Sequence, residues 1–298
     1  MRATIIGLGL IGGSIALELR KKGVATRLVG VDRDPAHAAE AVRLGLVDET
    51  QPFESAIGNT DLIVLAIPVT AITKMVAGLL DQIGQGVTVL DMGSTKAAIC
   101  NAIRGHRNRG QFVAAHPIAG TENSGPAAAF AGLFRNKTMI VCESGLSSAK
   151  AMDVANQVFT AMEVKTISMD PTGHDRHVAY VSHLSHVSSF LLGQTVMDIE
   201  KDEKNIFDLA GSGFASTVRL AKSSPDMWAP IFEQNVEYLS QALLEYIMHL
   251  QRFHYHLMKK DTKEIHRIMT EANDIRRVLN GIELKDEKEN KVGLLIED

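Results

Sequence analysis

The stretch that most constrains this 298-residue chain lies at its start. Ala3-Thr-Ile-Ile6 is a short apolar run, Gly7-Leu-Gly-Leu-Ile-Gly12 follows it directly, and a helical pattern runs from Ile11 to Lys22 until Gly23 stops it. A buried strand, a G-x-G-x-x-G turn and a helix in that order form a strand–loop–helix unit. Its glycines let the backbone turn tightly and approach a pyrophosphate, whose charge then meets the first N–H groups and the dipole of the helix. The motif alone is weak. Here Leu28-Val-Gly-Val31 reads as a second strand and ends on Asp32, 20 residues after Gly12, where a carboxylate can accept hydrogen bonds from an adenosine ribose. We therefore expect Gly7, Gly9, Leu10, Ile11, Gly12 and Asp32 to line a dinucleotide site, with Arg33, Ile67, Pro68 and Ser94 beside them. A carboxylate repels the 2′-phosphate of NADP, so NAD is favoured, although the neighbouring Arg33 could pair with that phosphate.

Further strands are expected at Leu62 to Ile67, Val87 to Leu90, Gln111 to Ala115, Thr138 to Val141 and Val164 to Ser168, with helical stretches between most of them, including Thr70 to Ile83 and Ala97 to Arg104. Near-continuous apolar strands alternating with helices predict a parallel sheet covered on both faces. Past about Asp170 the strands stop. Val178, Val181, Leu184, Val187 and Leu191 recur at helical spacing, and Ala229 to Leu250 and Asp261 to Leu279 are similarly periodic. The expectation is an α/β Rossmann-type doubly wound, mainly parallel sheet over residues 1–170, then an all-α substrate and dimerisation domain over 171–298. Lys285 to Lys291 reads as a solvated charged tail, and no internal repeat is found.

Composition excludes more than it assigns. An apolar share of 45% and a charged share of 22% are ordinary for a globular chain. A formal charge of −4 gives no electrostatic footprint for nucleic acid. Ala3 to Leu17 is uncharged, but it is short of the ~20 residues of a membrane helix and is broken by four glycines, so neither an anchor nor an export signal is expected. Cys100 and Cys142 are too few for a disulfide framework and fit a reducing cytoplasm, as small buried residues.

Polar residues then gather where α/β sheets bind ligands, at strand ends: Asp91-Met-Gly-Ser-Thr-Lys96 and Ala115-His-Pro-Ile-Ala-Gly-Thr-Glu122. The helical half adds Ser182-His-Leu-Ser-His186, Gly211 to Arg219, and Ser224-Pro-Asp-Met-Trp228. Each has a plain structural reading: His116 as a turn residue before proline, His183 and His186 as satisfied core histidines on one helix face, Arg219 as a salt-bridge residue. A metal is not expected, because His183 and His186 lack a third ligand at a plausible position.

Together these segments resemble the prephenate/arogenate dehydrogenase family of tyrosine biosynthesis, from Gly7 through Trp228, with His116-Pro-Ile-Ala-Gly-Thr-Glu122 the most specific element. The resemblance implies NAD-dependent oxidative decarboxylation and a helical dimerisation half with the active site between the two halves, in keeping with the homodimer expected from the apolar surface of the later helices. It assigns His116 to take a proton from the C4 hydroxyl of prephenate, with Ser94 orienting it, and Arg219 to bind a substrate carboxylate. His186 and, less directly, His183 are implied as substrate contacts, Thr121 and Glu122 as neighbours of the substrate, and Trp228 as a pocket wall or partner contact. Lys96 ranks below Ser94 as a source of positive potential. Some members carry an acid three residues before the arginine, where this chain has Ser216. Glu122 could meet the ammonium of arogenate, or serve as a hinge or intersubunit hydrogen bond; prephenate is favoured. Arogenate as substrate, a β-hydroxyacid or imine-reducing dehydrogenase, and a non-catalytic NAD-sensing regulator stay open as alternatives.

Overall fold

The computed structural model describes residues 1–203 and 205–281; the expected charged tail from Lys285 to Lys291 lies outside them. An eight-stranded sheet forms from β1 (Arg2–Ile6), β2 (Arg27–Val31), β3 (Glu49–Thr50), β4 (Leu62–Leu65), β5 (Thr88–Asp91), β6 (Phe112–Ile118), β7 (Thr138–Cys142) and β8 (Lys165–Met169), in the order β3-β2-β1-β4-β5-β6-β7-β8. Between the strands run α1 (Leu10–Lys21), α2 (Pro35–Arg43), α3 (Phe53–Ile57), α4 (Val69–Gln82), α5 (Ala97–Ala102) and α6 (Ala149–Ala161). The two-residue β3 went unforeseen, since no apolar run marks it.

Why the sheet is covered twice is visible in its alternation. Ile5, Val64 and Leu90 point into one core with Leu8, Ile15 and Leu19. Their neighbours Ile6, Ile63, Leu65 and Val89 point into the other with Ile72, Val76 and Leu80. Each such side chain, fully buried, contributes about 1.5–3 kcal/mol.

All pairings are parallel except β6 with β7. The connection over residues 119–137 therefore stays at the carboxyl ends of the parallel strands. There Phe130 N donates to Ser14 Oγ at 3.0 Å and Gly132 N to the buried Glu18 carboxylate, pinning this connection onto α1. Pairing with β7 also carries β6 past the expected Ala115 end. β5 reaches only Ala114, so His116 and Pro117 are paired on one side alone, where the missing N–H of proline costs nothing.

Beyond Met169 the elements are helical: α7 (Pro171–Val178), a π turn (Ala179–His183), α8 (Leu184–Asp202), α9 (Ser212–Thr217), α10 (Pro225–Gln234), α11 (Val236–Met258) and α12 (Thr262–Ala272). The helical spacing of Val178 to Leu191 gave no sign of a break; the structure inserts the π turn. The chain separates into compact units Met1–Leu239 and Ser240–Asp298. The first unit runs past the expected boundary near residue 170 because α7 packs on α5 and α10 on α4. In the second, Arg252 Nη2 lies 2.7 Å from Glu264 Oε1. Among the described residues no helix is long and apolar enough to cross a membrane.

Candidate active site

The glycine loop has the geometry its motif demands. Gly7 has φ +94°, and a Cβ there would fall 2.3 Å from Ala66 O; one on Gly12 would fall 1.9 Å from Gly7 O. At Gly9 a Cβ would meet nothing nearer than Gly125 N at 4.0 Å, so the backbone lies open to close approach where α1 begins. The first N–H groups of a helix have no acceptor within it. Ile67 abuts Gly7, and Pro68 immediately precedes α4 as its N-cap. Asp32 Oδ2 accepts from Leu8 N and Oδ1 from Asp34 N, both at 2.9 Å, so the acid also holds the loop in place. Arg33 is exposed beside it. An open glycine, unsatisfied helix N–H groups and a carboxylate at the end of β2 fit a dinucleotide.

At the end of β5, Asp91 Oδ1 accepts from Gly93 N at 2.7 Å, turning the chain so that Ser94 is half-buried and Thr95 and Lys96 are buried. Lys96 does not face a ligand. Its ammonium is fully buried, pairs with Asp91 and donates to Ala115 O at 2.9 Å. Burial pushes the Asp91 carboxyl up, against the pull of that ammonium. Lys96 thus has a structural role at the strand ends, and its charge is still felt at His116. Thr95 Oγ1 donates to Gln234 Oε1 at 2.7 Å, and Gln234 Nε2 donates to Thr73 Oγ1 at 2.9 Å, fastening α10 to this corner.

His116 sits on the one-sided stretch of β6. Its Nδ1 lies 2.8 Å from His174 Nε2, and His174 Nδ1 lies 2.7 Å from Asp175 Oδ1. The two Asp175 oxygens accept from Lys96 N at 2.7 Å and Ala97 N at 2.9 Å. Among the described residues no hydrogen bond joins Ser94 to His116; His174 makes the orienting contact the sequence reading gave to Ser94. Burial, reinforced by the His174 ring and the Lys96 charge, holds His116 well below the usual imidazole pKa. Burial likewise lowers His174, against the hydrogen bond to Asp175.

The network continues into the helices. Asn235 Nδ2 donates to Asp175 O at 2.7 Å and to His183 Nδ1 at 3.0 Å. The π turn brings His183 inward against the edges of Trp228 and Phe232, and burial pushes its pKa down to about 4. His186 Nδ1 donates to Ser182 O at 2.9 Å while its ring stacks on Trp228 with centroids 3.5 Å apart. Burial lowers His186, and the nearby Arg219 charge adds to this. The buried Trp228 Nε1 has no hydrogen-bond partner among the described residues. Arg219 lies on a 3₁₀ turn, half-exposed, with Nη1 2.9 Å from Glu122 Oε2. In the connection after β6, Thr121 Oγ1 accepts from Asn123 N at 3.2 Å, bracketing Glu122, and Ser216 Oγ donates to Gly213 O.

The structure thus links His116, His183, His186 and Trp228 through contacts and sets Glu122 against Arg219. Sequence reasoning missed His174, Asp175, Gln234 and Asn235. A signal for His174 was present: it precedes Val178 by four residues, so the two share the buried face of α7.

Two family models account for most of the chain: the prephenate dehydrogenase nucleotide-binding domain over residues 15–168 and the prephenate dehydrogenase dimerization domain over residues 170–271. Prephenate dehydrogenase from Bacillus subtilis is 30% identical over 286 residues, 93% of this chain and 76% of the relative. The crystal structure of A. aeolicus prephenate dehydrogenase in complex with hydroxyphenyl propionate and NAD+ matches with a TM-score of 0.84 at 28% identity, covering 94% of this chain and 98% of that one. Synechocystis arogenate dehydrogenase matches with a TM-score of 0.72 at 27% identity, covering 94% of this chain and all of that one.

Proposed function

Because the chain belongs to the prephenate dehydrogenase family, we infer that it is an NAD-dependent prephenate dehydrogenase of tyrosine biosynthesis, converting prephenate to 4-hydroxyphenylpyruvate and CO2. The observation that carries this reading is the His116 imidazole, bonded through Nδ1 to His174 at the carboxyl end of β6 with Nε2 left to act. When bound at the glycine loop, NAD supplies the hydride acceptor. His116 takes the proton of the C4 hydroxyl as the hydride leaves C4. Loss of the ring carboxylate as CO2 then restores aromaticity and makes that oxygen a phenolate, to which His116 returns the proton. A general base of this kind typically contributes about 10²–10⁴-fold.

Arg219 grips a substrate carboxylate, and a guanidinium suits that task because its donors match both carboxylate oxygens. Ser94, His186, His183, Thr121 and Trp228 complete the site. We favour prephenate over arogenate because we read Glu122 as a hinge residue, paired with Arg219 in the free protein, and not as the receptor of an ammonium. We assign the nucleotide to residues 1–170 and the substrate and the dimer contact to 171–298. Leu244, Met248, Tyr255 and Met258 are exposed along one side of α11, the kind of apolar face a second copy would cover, and we read the enzyme as a cytoplasmic homodimer.

The test is NADH formation by purified protein given NAD with prephenate or with arogenate. Turnover of prephenate supports the reading; absence of NADH with either substrate overturns it.

A further inference from the structure

The polarity of the hydrogen bonds around His116 fixes where its proton sits. Asp175 oxygens take the N–H groups of Lys96 and Ala97, so they act as acceptors. His174 Nδ1, facing Asp175 Oδ1 at 2.7 Å, must then carry a proton. His174 is fully buried, which disfavours a second positive charge beside Lys96 and leaves Nε2 as a lone pair. That lone pair faces His116 Nδ1 at 2.8 Å, so Nδ1 of His116 is the donor and its Nε2 is unprotonated. The opposite polarity would set a bare His174 nitrogen against a carboxylate.

We propose that His174, oriented by Asp175, is a positioning residue that locks His116 in the Nδ1–H tautomer and so keeps Nε2 available as the base. This rests on the dehydrogenase reading above. Nδ1–H is the minor form of a histidine free in water, so the device is needed for a base that works through Nε2. The proton arriving from the substrate hydroxyl goes to Nε2; Nδ1 keeps its own, and none passes to His174 or Asp175. Asp175 is held from two sides, by the backbone that starts α5 and, through its carbonyl, by Asn235 on the turn after α10. The groups facing His116 are Lys96 from the β5 end, His174 from α7 and His183 from the π turn, and Asp175 reaches it only through His174.

The experiment uses full-length enzyme, wild type and the variants His174→Phe and His174→Gln. Phe removes the acceptor; Gln presents a carbonyl oxygen near the place of Nε2. With 15N-labelled histidine and no substrate, wild-type His116 should show a protonated Nδ1 and a bare Nε2 at neutral pH, and His174→Phe should show the reverse. kcat for prephenate should fall by about 10²–10⁴-fold in His174→Phe, with KM and the Kd for NAD within about threefold. His174→Gln should recover most of that loss and restore the wild-type acid limb. A bare Nδ1 in the wild type, or equal kcat losses in Phe and Gln with NAD binding retained, overturns the proposal. If the wild type turns over no prephenate the dehydrogenase reading fails, while the tautomer spectrum still decides the lock. Should His174→Phe fail to fold, the wild-type spectrum and the Gln variant decide it.

Discussion

Arg219 and Glu122, 97 residues apart in sequence, meet with Nη1 and Oε2 2.9 Å apart on a largely exposed surface. The Glu122 carboxyl is held below its usual range chiefly by its own backbone N–H, with Arg219 adding to the effect. Exposed pairs contribute little to folding. Arg219→Gln should therefore leave the unfolding midpoint near the wild-type value while raising KM for prephenate about tenfold or more, the usual scale of a charge-assisted hydrogen bond. Steady-state kinetics beside a urea melt would check this, and an unchanged KM would remove Arg219 from substrate binding.

His116→Asn removes the base and keeps a polar side chain of similar shape. A fall in kcat of about 10²–10⁴-fold is expected, with NAD affinity retained. Because burial holds His116 well below 6.5, its neutral form persists as the pH falls through that value. The acid limb of kcat/KM should accordingly lie below pH 6.5, and a limb above it would show that His116 is not the base.

Lys96→Met leaves Asp91 fully buried without its cation. Breaking such a pair from one side costs about 3–5 kcal/mol. Adding Asp91→Leu should recover most of the loss but not all, since Gly93 N then loses its acceptor at 2.7 Å. Urea midpoints of the single and double variants measure both effects. A destabilisation under about 1 kcal/mol in Lys96→Met would contradict the buried pair.

His183 is neutral in the fold, with a pKa pushed from 6.5 down to about 4. The unfolded chain binds a proton on this residue at a higher pH than the folded one does. The contribution of the neutral ring to stability is thus complete above pH 6.5 and is lost as the pH falls towards 4, a change of about 3 kcal/mol. His183→Gln should flatten that part of the stability–pH curve in urea titrations, and a curve as steep as that of the wild type would show that another group titrates there.

Much of this molecule could be read from its sequence because its strands are short apolar runs and its glycine loop is contiguous. Gly7 to Gly12 and Asp32 needed no tertiary information, and neither did the end of the sheet at Met169. What stayed hidden depends on contacts between distant segments. Nothing local marks His174 or Asp175 as partners of His116, since their meeting depends on α7 packing on α5. The burial of Lys96 was not legible either, since only the neighbouring strand supplies the Ala115 carbonyl that draws its ammonium inward. The reversed direction of β7 was equally unreadable, because parallel and antiparallel runs share the same residues when both faces are covered.

That reversal has a consequence for how the protein can change. Had β7 run alongside β6, residues 119–137 would have been committed to a crossing behind the sheet, far from any bound molecule. Running backwards, β7 leaves them as a wall built over the mouth of the glycine loop, nailed to α1 at Ser14 and Glu18 and bearing Glu122. Evolution can reshape this wall, and with it what the enzyme accepts, without touching one rung of the ladder beneath.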